Sequence, residues 1–343
     1  MSLMRPEFTP ADDRIRTAGV VLVMAHASPD GDCIGCALAM RHVLRSLGKQ
    51  AYAYCADRPR PELAFLPGVD DLLDNHQLAH LLDSHHRLDL VIVVDTGDLR
   101  LLGDFYAQHS DRFDDIPLLS FDHHKSNTRF GDHNVIIDTY GSCAEVLIDF
   151  FQACNYPLEP DSATCLLTGL ITDTNHFRIP DTTAHSFLSA AALVDHGARL
   201  SEINENLMVL DEVPVARLKA RVLSGMRTDF ADQLAWLAIE DDELGHAVRS
   251  EDKLTSGLAG YLRSLHGVQI GVVMLAQHDR SVKISFRGRA GTNVVAVANE
   301  LGGGGHVTAA GARVEGMTLE ATVRYVVTRL GEVNAELFAK ARP

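Results

Sequence analysis

The chain has 343 residues, of which 46% are hydrophobic and 22% are charged, and its formal net charge at pH 7 is −15. This length suits two domains of ordinary size, and no apolar run is long enough to span a membrane. The acidic balance argues against binding to long nucleic acid through a general basic surface. No signal sequence opens the chain, and its six cysteines are too few for a disulfide scaffold. We therefore expect a cytoplasmic protein without a membrane partner.

The first predicted strand covers 20–25, a continuous apolar run of the kind found in central parallel strands. His26 follows it directly, and Asp30 and Asp32 lie in the Pro-Asp-Gly-Asp turn that comes next. Such a turn can point both carboxylates to the same side. A helix is predicted over 33–47, and capping of this helix by one of the two aspartates is the alternative interpretation.

Further strands are predicted at 51–54, 90–94, 117–121 and 135–137. Asp95 and Asp122 each follow one of these strands directly. Strands that alternate with helices at such spacings predict an open parallel sheet and hence the α/β class. Because these sheets bind ligands outside the carboxyl ends of their strands, His26, Asp95 and Asp122 are predicted to meet at one edge.

The pattern then becomes mostly helical before strands return. Helices are predicted within 142–226, where Ser142 and Glu145 match a capping box. Strands are predicted at 234–239, 268–275 and 282–286, and a last helix over 319–339. This pattern predicts a second, smaller mixed α/β domain. The predicted organisation is a parallel-sheet domain over 15–195, a helical connector over 196–228 and the mixed domain over 229–340.

Two more polar segments join the first loop and Asp95: Asp122-His123-His124 and Thr172-Asp173-Thr174. Carboxylate oxygens suit hard divalent cations, and imidazole adds a ligand suited to manganese, iron or zinc. Two such ions about 3.5–4 Å apart are a standard device for hydrolysing phosphate esters. Each segment alone is equally readable as a helix cap or a solvated loop. The two-metal interpretation therefore depends on the order of all the segments along one chain.

Cys33 and Cys36 match the C-x-x-C pattern, which can indicate a redox or zinc site. The sequence contains no second such pair, and both cysteines fall on an apolar predicted helix. We interpret them as small packing residues.

The order of these motifs resembles that of the DHH phosphoesterase family, which takes its name from the Asp-His-His found here at 122–124. The segments H-x-x-P-D-G-D, V-D-T, D-H-H and T-D-T match the four motifs of that family in order. Further along, 282–287 and the glycine-rich 302–311 resemble the signature of the DHH-associated domain. The resemblance covers about 15–340 and implies a parallel-sheet DHH domain followed by a mixed α/β DHH-associated domain.

The resemblance implies two manganese ions per chain. The implied metal ligands are His26, Asp30, Asp32, Asp95, His123 and Asp173. Asp95 would bridge the two ions, and His26 with Asp30 would hold the first of them. The remaining three ligands would hold the second ion.

The resemblance also implies catalytic and substrate-binding residues. His124 would face the scissile phosphate, Asp122 would orient the neighbouring histidines, and Arg287 would offset phosphate charge. The implied substrate-binding residues are Ser285, Arg287, Gly303, Gly304, Gly305 and His306. Independently of the family, successive glycines let backbone N–H groups approach an anion closely. A flexible loop is the alternative interpretation of the glycine run.

A pair of domains of this size resembles the nanoRNase/pAp-phosphatase group. That resemblance implies short oligonucleotides, dinucleotides such as pApA, cyclic di-AMP and 3′-phosphoadenosine 5′-phosphate as substrates, but no long nucleic acid. The alternatives left open are a family II-like inorganic pyrophosphatase, a RecJ-like single-strand exonuclease and a non-catalytic nucleotide sensor. The sequence also leaves open whether the protein forms a homodimer.

Overall fold

The structure is a computed structural model that describes residues 5–83, 88–207, 213–240 and 251–340. The chain divides into two compact units, Met1–Val209 and Leu210–Pro343, hereafter unit 1 and unit 2. The boundary falls within the predicted connector, and 208–212 lie outside the described residues. The connector and the predicted domain limits therefore stay predictions. No helix among the described residues is both long and apolar enough to cross a bilayer.

Unit 1 is built on a parallel sheet, as predicted. Its strands are β1 (Val20–Met24), β2 (Gln50–Tyr54), β3 (Leu90–Val94), β4 (Leu118–Asp122) and β5 (His133–Ile136), in the order β2-β1-β3-β4-β5. Every neighbouring pair is parallel. Met24 pairs with Val93, and Val94 pairs with Phe121, so the three central strands end nearly side by side. The residues that follow these strands therefore emerge at one edge.

The helices described in unit 1 are α1 (Phe8–Thr17), α2 (Gly31–Ser46), α3 (Asn75–Asp83), α4 (Asp104–Gln108), α5 (Cys143–Ala153), α6 (Pro160–Asp173), α7 (Ala184–Asp195) and α8 (Leu200–Leu207). Short 3₁₀ turns lie at Pro61–Leu63, Val69–Asp71, Leu99–Leu102 and Ser110–Arg112. Alternating side chains of the strands enter two separate cores. Val21 and Val23 pack with residues of α2, α5 and α6, whereas Leu22 and Met24 pack with residues of α3 and α4. A strand buried on both faces explains the continuous apolar runs.

Helices α2 and α6 approach each other closely, and the approach requires a glycine. A β-carbon at Gly169 would lie 2.4 Å from Oδ1 of Asp32. Only a residue without a side chain fits there. The packing brings the start of α2 beside α6, which ends at Asp173.

Unit 2 contains a mixed sheet. Its strands are β6 (Arg227–Asp229), β7 (Leu234–Ile239), β8 (Ile270–Ala276), β9 (Val282–Gly288), β10 (Gly304–His306) and β11 (Ala309–Val314), in the order β10-β11-β9-β8-β7-β6. β7 and β8 are parallel, and the other neighbours are antiparallel. The described helices of unit 2 are α9 (Val213–Ser224), α10 (Glu251–Ser264), α11 (Val295–Glu300), α12 (Leu319–Val333) and α13 (Ala335–Lys340). Residues of α11 and α12 pack on one face of the sheet, and residues of α10 pack on the other.

The fold class is confirmed, and two local predictions and one alternative interpretation need correction. The last predicted helix, 319–339, is interrupted at Asn334, which caps α12. The glycine run does not end in a free loop, because Gly304–His306 pairs with β11. Ser142 caps α5 as predicted, but Glu145 does not return the bond to Ser142. Its Oε2 accepts from the N–H of Gly141 instead, at 2.8 Å.

Candidate metal centre

The predicted ligands of unit 1 lie at the carboxyl-end edge of the sheet. His26 lies just beyond β1, and Asp95 follows β3 directly. Asp122 is the last residue of β4, with His123 next to it. Asp173, the last residue of α6, comes from a helix rather than a strand. The common edge follows from the parallel register, as the strand pattern predicted.

His26 presents one ring nitrogen to two carboxylates. Its Nδ1 lies 2.8 Å from the carbonyl oxygen of Ala27. A carbonyl only accepts, so Nδ1 carries the proton and Nε2 is left for a ligand. Nε2 lies 3.9 Å from Oδ2 of Asp95 and 4.0 Å from Oδ1 of Asp30. The Oδ1 of Asp30 also accepts from the N–H of Cys33, so this aspartate caps α2 while it faces His26.

His123 is arranged in the same way. Its Nδ1 lies 3.2 Å from the carbonyl oxygen of Tyr140, which leaves Nε2 free. Nε2 lies 3.3 Å from Oδ2 of Asp173 and 3.5 Å from Oδ1 of Asp95. Ligand atoms of Asp32, His123 and Asp173 all lie within 4.8 Å of one another. These three residues are the set predicted to hold the second ion.

Asp32 is fully buried and is held by the start of α5. Its Oδ2 accepts from the N–H of Cys143 at 2.6 Å, and its Oδ1 accepts from the N–H of Ala144 at 3.1 Å. The N-terminus of a helix stabilises a negative charge and offers unpaired N–H groups. The carboxylate is therefore fixed in place although it faces other acids.

Asp95 carries an unpaired buried oxygen. The residue is 3% exposed, and its Oδ1 has no hydrogen-bond partner among the described residues. Its φ is +50°, an uncommon conformation for a residue other than glycine. A buried carboxylate oxygen without a donor is costly. Its place between His26 and His123 fits a ligand shared by two cations.

Asp122 is hydrogen-bonded to His124 and Asn127, so it orients His124. Its Oδ1 accepts from Nδ1 of His124 at 2.7 Å, and its Oδ2 accepts from the side-chain amide of Asn127 at 2.6 Å. Burial acts to raise the pKa of Asp122, but the bonds from His124 and Asn127 outweigh it and hold the pKa below its ordinary value. The bond to Asp122 raises the pKa of His124. The ring of His124 is about half exposed, so its other nitrogen reaches solvent.

The electrostatics of the cluster fit divalent cations. Burial raises the pKa of Asp32 well above its ordinary value, and the nearby Asp95 and Asp173 raise it further. Burial also raises the pKa of Asp173 to about 6, against the opposing effect of His123. Asp173 lies at the C-terminal end of a helix, where the dipole disfavours a negative charge. A bound cation relieves each of these costs, and carboxylate and imidazole are suitable donors.

The predicted substrate-binding residues lie in unit 2, where Arg287 and His306 share one face of the sheet. Arg287 pairs with Ala309, and Ala309 pairs with His306. Directly opposed residues of antiparallel strands point to the same face. We call Arg287, Ala309 and His306 the open sheet face. They lie at the end of the face on which α10 packs, where His306 is exposed and the other two are half-buried.

The contacts of this face differ between its residues. Arg287 donates to Oγ of Ser256 at 2.6 Å, and Ser285 donates to Oγ1 of Thr255 at 3.3 Å. Ser285 is 8% exposed, so its hydroxyl is largely used within unit 2. A β-carbon at Gly305 would lie 2.5 Å from the carbonyl oxygen of Ala309. The close approach of β10 to β11 is thus one reason for glycine at 303 and 305.

Several contacts of the site were not predicted from the sequence. Asn127 holds Asp122, and the carbonyl of Tyr140 holds His123. Cys33, interpreted as a packing residue, is buried, but its Sγ also lies within 4.8 Å of ligand atoms of His26 and Asp95. A polar residue soon after Asp-His-His was a usable signal for Asn127. No residue-type signal exists for a main-chain carbonyl.

A parallel-sheet domain with carboxylates and imidazoles clustered at its strand ends fits metal-assisted hydrolysis of phosphate esters. Residues 20–170 match the model of the DHH family, N-terminal domain, and residues 246–332 match that of the DHHA1 domain. Together with the relatives described next, these matches establish that the chain belongs to the DHH phosphoesterase family, in its nanoRNase group.

Curated relatives match over nearly the whole chain. The bifunctional oligoribonuclease and PAP phosphatase NrnA of Thermus thermophilus is 30% identical over 92% of this chain and 90% of its own length. The cyclic-di-AMP phosphodiesterase PdeA of Listeria monocytogenes is 24% identical over 90% of this chain but only 47% of its own length. Among solved structures, an exopolyphosphatase-related protein from Bacteroides fragilis has a TM-score of 0.80 at 21% identity, covering 97% of this chain and 98% of that one. This structural match supports the fold.

Proposed function

We propose that the protein hydrolyses short oligoribonucleotides, dinucleotides such as pApA, and 3′-phosphoadenosine 5′-phosphate, using two manganese ions per chain. The observation that carries the proposal is the buried carboxylate of Asp95, which faces Nε2 of His26 with Oδ2 and Nε2 of His123 with Oδ1. The names of the relatives support nucleotides as the substrate class. Cyclic di-AMP is included in the proposal for the same reason.

The proposed metal ligands divide as the geometry of the side chains suggests. His26 and Asp30 would hold one ion, and Asp32, His123 and Asp173 the other, with Asp95 shared between them. When bound, such ions activate a water molecule for attack on phosphorus and offset charge on the phosphoryl oxygens. The protein contributes fixed donors, because Nδ1 of each histidine is already bonded to a carbonyl.

The proposed role of His124 follows from its two ring nitrogens. Nδ1 is bonded to Asp122, whose pKa is held low, so the carboxylate favours a protonated imidazole. The exposed Nε2–H then donates to a phosphoryl oxygen and stabilises the charge that develops in the transition state. Asn127 keeps Asp122 in place during this step.

The proposed role of unit 2 is to bind a terminal phosphate of the substrate. Arg287 offers a guanidinium and His306 an exposed imidazole on the open sheet face, and both can donate to a terminal phosphate. Ser285 is a weaker candidate, because its hydroxyl already bonds to Thr255. The glycines at 303–305 would let a nucleotide approach the backbone of β10.

The test is a time course on labelled RNA of increasing length, with manganese restored after chelation and with salt held constant. We expect strands of roughly two to five nucleotides to be cut well and strands of about 20 to be cut poorly. The net charge of −15 offers no extended basic track for added nucleotides. Asp173→Asn serves as the inactive control.

Other outcomes would select a different function. Processive degradation of long strands at the dinucleotide rate would favour a RecJ-like exonuclease. Hydrolysis of pyrophosphate in preference to every nucleotide would favour a pyrophosphatase. Nucleotide binding without hydrolysis in the manganese-loaded protein would favour a sensor. Each of these results would overturn the proposal.

A further inference from the structure

The carbonyl that orients His123 belongs to Tyr140, and the position of this carbonyl depends on the contacts of the Tyr140 side chain. Tyr140 lies in a turn between β5 and α5, where its N–H donates to the carbonyl of Ile137 at 3.1 Å. Its own carbonyl faces Nδ1 of His123 at 3.2 Å. A shift of this turn would move the acceptor and free the histidine ring to rotate. Whatever holds Tyr140 therefore also holds His123.

The side chain of Tyr140 is held by a buried carboxylate. Its hydroxyl donates to Oδ2 of Asp149 at 2.5 Å, and Arg5 donates to the same hydroxyl at 2.7 Å. Asp149 lies in α5 and is 3% exposed. Burial and the bond to Asp149 raise the pKa of Tyr140 to about 12, so the hydroxyl keeps its proton.

His185, in the first turn of α7, closes the network from the other side. Its ring stacks on Tyr140 with centroids 4.4 Å apart and planes at 27°. Its Nε2 lies 3.4 Å from Oδ1 of Asp149, the oxygen that Tyr140 does not use. Both oxygens of the buried carboxylate are thus engaged, one by the phenol and one by the imidazole.

The neighbouring residue is held as well. The N–H of Gly141 donates to Oε2 of Glu145, which is fully buried one turn before Asp149 on α5. The turn is therefore bonded to α5 at two consecutive residues. A turn that needed only to connect β5 with α5 would not require two buried carboxylates, since each is costly to bury.

We propose that Tyr140, Asp149 and His185 form a positioning network that fixes the ring of His123 and so tunes the second metal position. The inference rests on the proposed function, because it takes His123 as a ligand. Partners bonded directly to a ligand typically change metal affinity by about 10–100-fold when they are removed. The direct partner here is the main-chain carbonyl of Tyr140, so loss of the side-chain bonds that hold it should have an effect at the lower end of that range. None of the three is among the proposed metal ligands or substrate-binding residues, so they are positioning residues.

The chain contains a matched control for the central residue. Tyr156 donates to Oδ1 of Asp12 at 2.6 Å, and the guanidinium of Arg16 lies 5.3 Å from its ring centroid. Tyr156 is nearly buried, at 6% exposure. Tyr156→Phe removes the same kind of Tyr–Asp bond beside the same kind of arginine as Tyr140→Phe. Its ring contacts Phe150 and Phe151, and none of its described bonds leads to His123.

The experiment uses full-length protein from which metal ions have been removed with a chelator. Calorimetry measures manganese binding, and the electron paramagnetic resonance spectrum shows whether two bound ions are magnetically coupled. We expect Tyr140→Phe to weaken binding of the second ion by roughly tenfold and to reduce the coupled signal. Tyr156→Phe should keep both ions at wild-type affinity. Thermal unfolding of both variants shows whether their loss of stability is comparable. His185→Phe keeps a stacked ring but loses the bond to Asp149. It should therefore weaken binding of the second ion less than Tyr140→Phe does.

The results separate the inference from the proposed function. Wild-type protein that binds no manganese pair would overturn both. A wild type with two ions and an unchanged Tyr140→Phe would overturn the inference alone. Equal weakening by Tyr140→Phe and Tyr156→Phe would also overturn it, because the effect would then be general loosening. If Tyr140→Phe does not fold, His185→Phe decides, and wild-type affinity in that variant counts against the network.

Discussion

The acidic cluster of unit 1 and the open sheet face of unit 2 differ in how deeply their side chains are buried and in how many hydrogen bonds hold them. Asp32 and Asp122 are fully buried, and each accepts several hydrogen bonds. On the open sheet face, His306 is exposed and Arg287 is anchored mainly through Ser256. The cluster is pre-formed at the electrostatic cost of several buried carboxylates, whereas His306 on the open sheet face is solvated. Changes in the cluster should therefore alter metal binding and stability together, and changes at His306 on the open sheet face should alter substrate binding alone.

The sharpest way to test this contrast is Asp95→Asn. The variant should lose both ions, and its activity should fall by more than the roughly 100-fold typical of an outer partner. The ion-free variant should nevertheless unfold at a higher temperature than ion-free wild type, because one buried charge is removed from beside Asp32 and Asp173. We expect a shift of about 2–4 °C, the response to ~1 kcal/mol in a domain of this size.

Metal content after reloading and thermal unfolding in chelator provide the two measurements for Asp95→Asn. Retention of two tightly bound ions would remove Asp95 as the shared ligand. A lower unfolding temperature in chelator would show that the cluster is not strained.

Gly169→Ala should produce the next largest effect. The new β-carbon would meet Oδ1 of Asp32 at 2.4 Å and force the carboxylate or α6 to move. We expect weaker binding of the second ion, roughly tenfold or more, together with a loss of stability of about 1–3 kcal/mol from overpacking. Calorimetric titration with manganese and denaturant unfolding measure these two effects.

Gly257→Ala is the matched control, since Gly257 lies in α10 and a β-carbon added there would meet nothing within 4 Å. That variant should be neutral or slightly more stable, by ~0.4–1 kcal/mol. Wild-type metal affinity in Gly169→Ala would mean that Asp32 tolerates displacement, contrary to the buried, multiply bonded arrangement described above.

The smallest effect is expected from His306→Ala on the open sheet face. The variant should raise KM for a dinucleotide roughly tenfold, as expected for one lost hydrogen bond to a charged phosphate. Metal content and unfolding temperature should stay at wild-type values, because His306 is exposed. Steady-state kinetics measure KM for this variant and for the control His266→Ala, which changes another exposed histidine of the same unit. An unchanged KM would show that His306 does not contact the substrate. Loss of a bound ion from the His306→Ala variant would show that the two units do not have separate roles.

The parallel sheet was predictable because it depends on local signals. Val91 and Val93 point to one face of β3 and Ile92 to the other, and both faces are buried, so the run reads as continuously apolar. The carboxyl-end rule then placed Asp95 near His26 without any knowledge of their distance. The cap at Ser142 was equally visible, since a capping serine acts within one helical turn.

The glycine run and Glu145 were harder to interpret for one shared reason. Glycine permits both an anion-binding loop and a close pairing of strands, and only the position of β11 shows that pairing occurs. Glu145 matched a capping box by its spacing, but its carboxylate bonds to Gly141. In both cases a local pattern allowed several partners, and the choice depended on which backbone lay nearby.

The sequence by itself determined the α/β class, the order of the ligand-bearing segments and the type of donor at each, because these follow from residue chemistry and short-range periodicity. Tertiary structure decided how the donors are held. The bonds from α5 to Asp32 and from Tyr140 to His123 use main-chain groups, which every residue carries and no sequence pattern marks. Their positions depend on how helices and turns distant in sequence pack together, and that packing exists only in the folded chain.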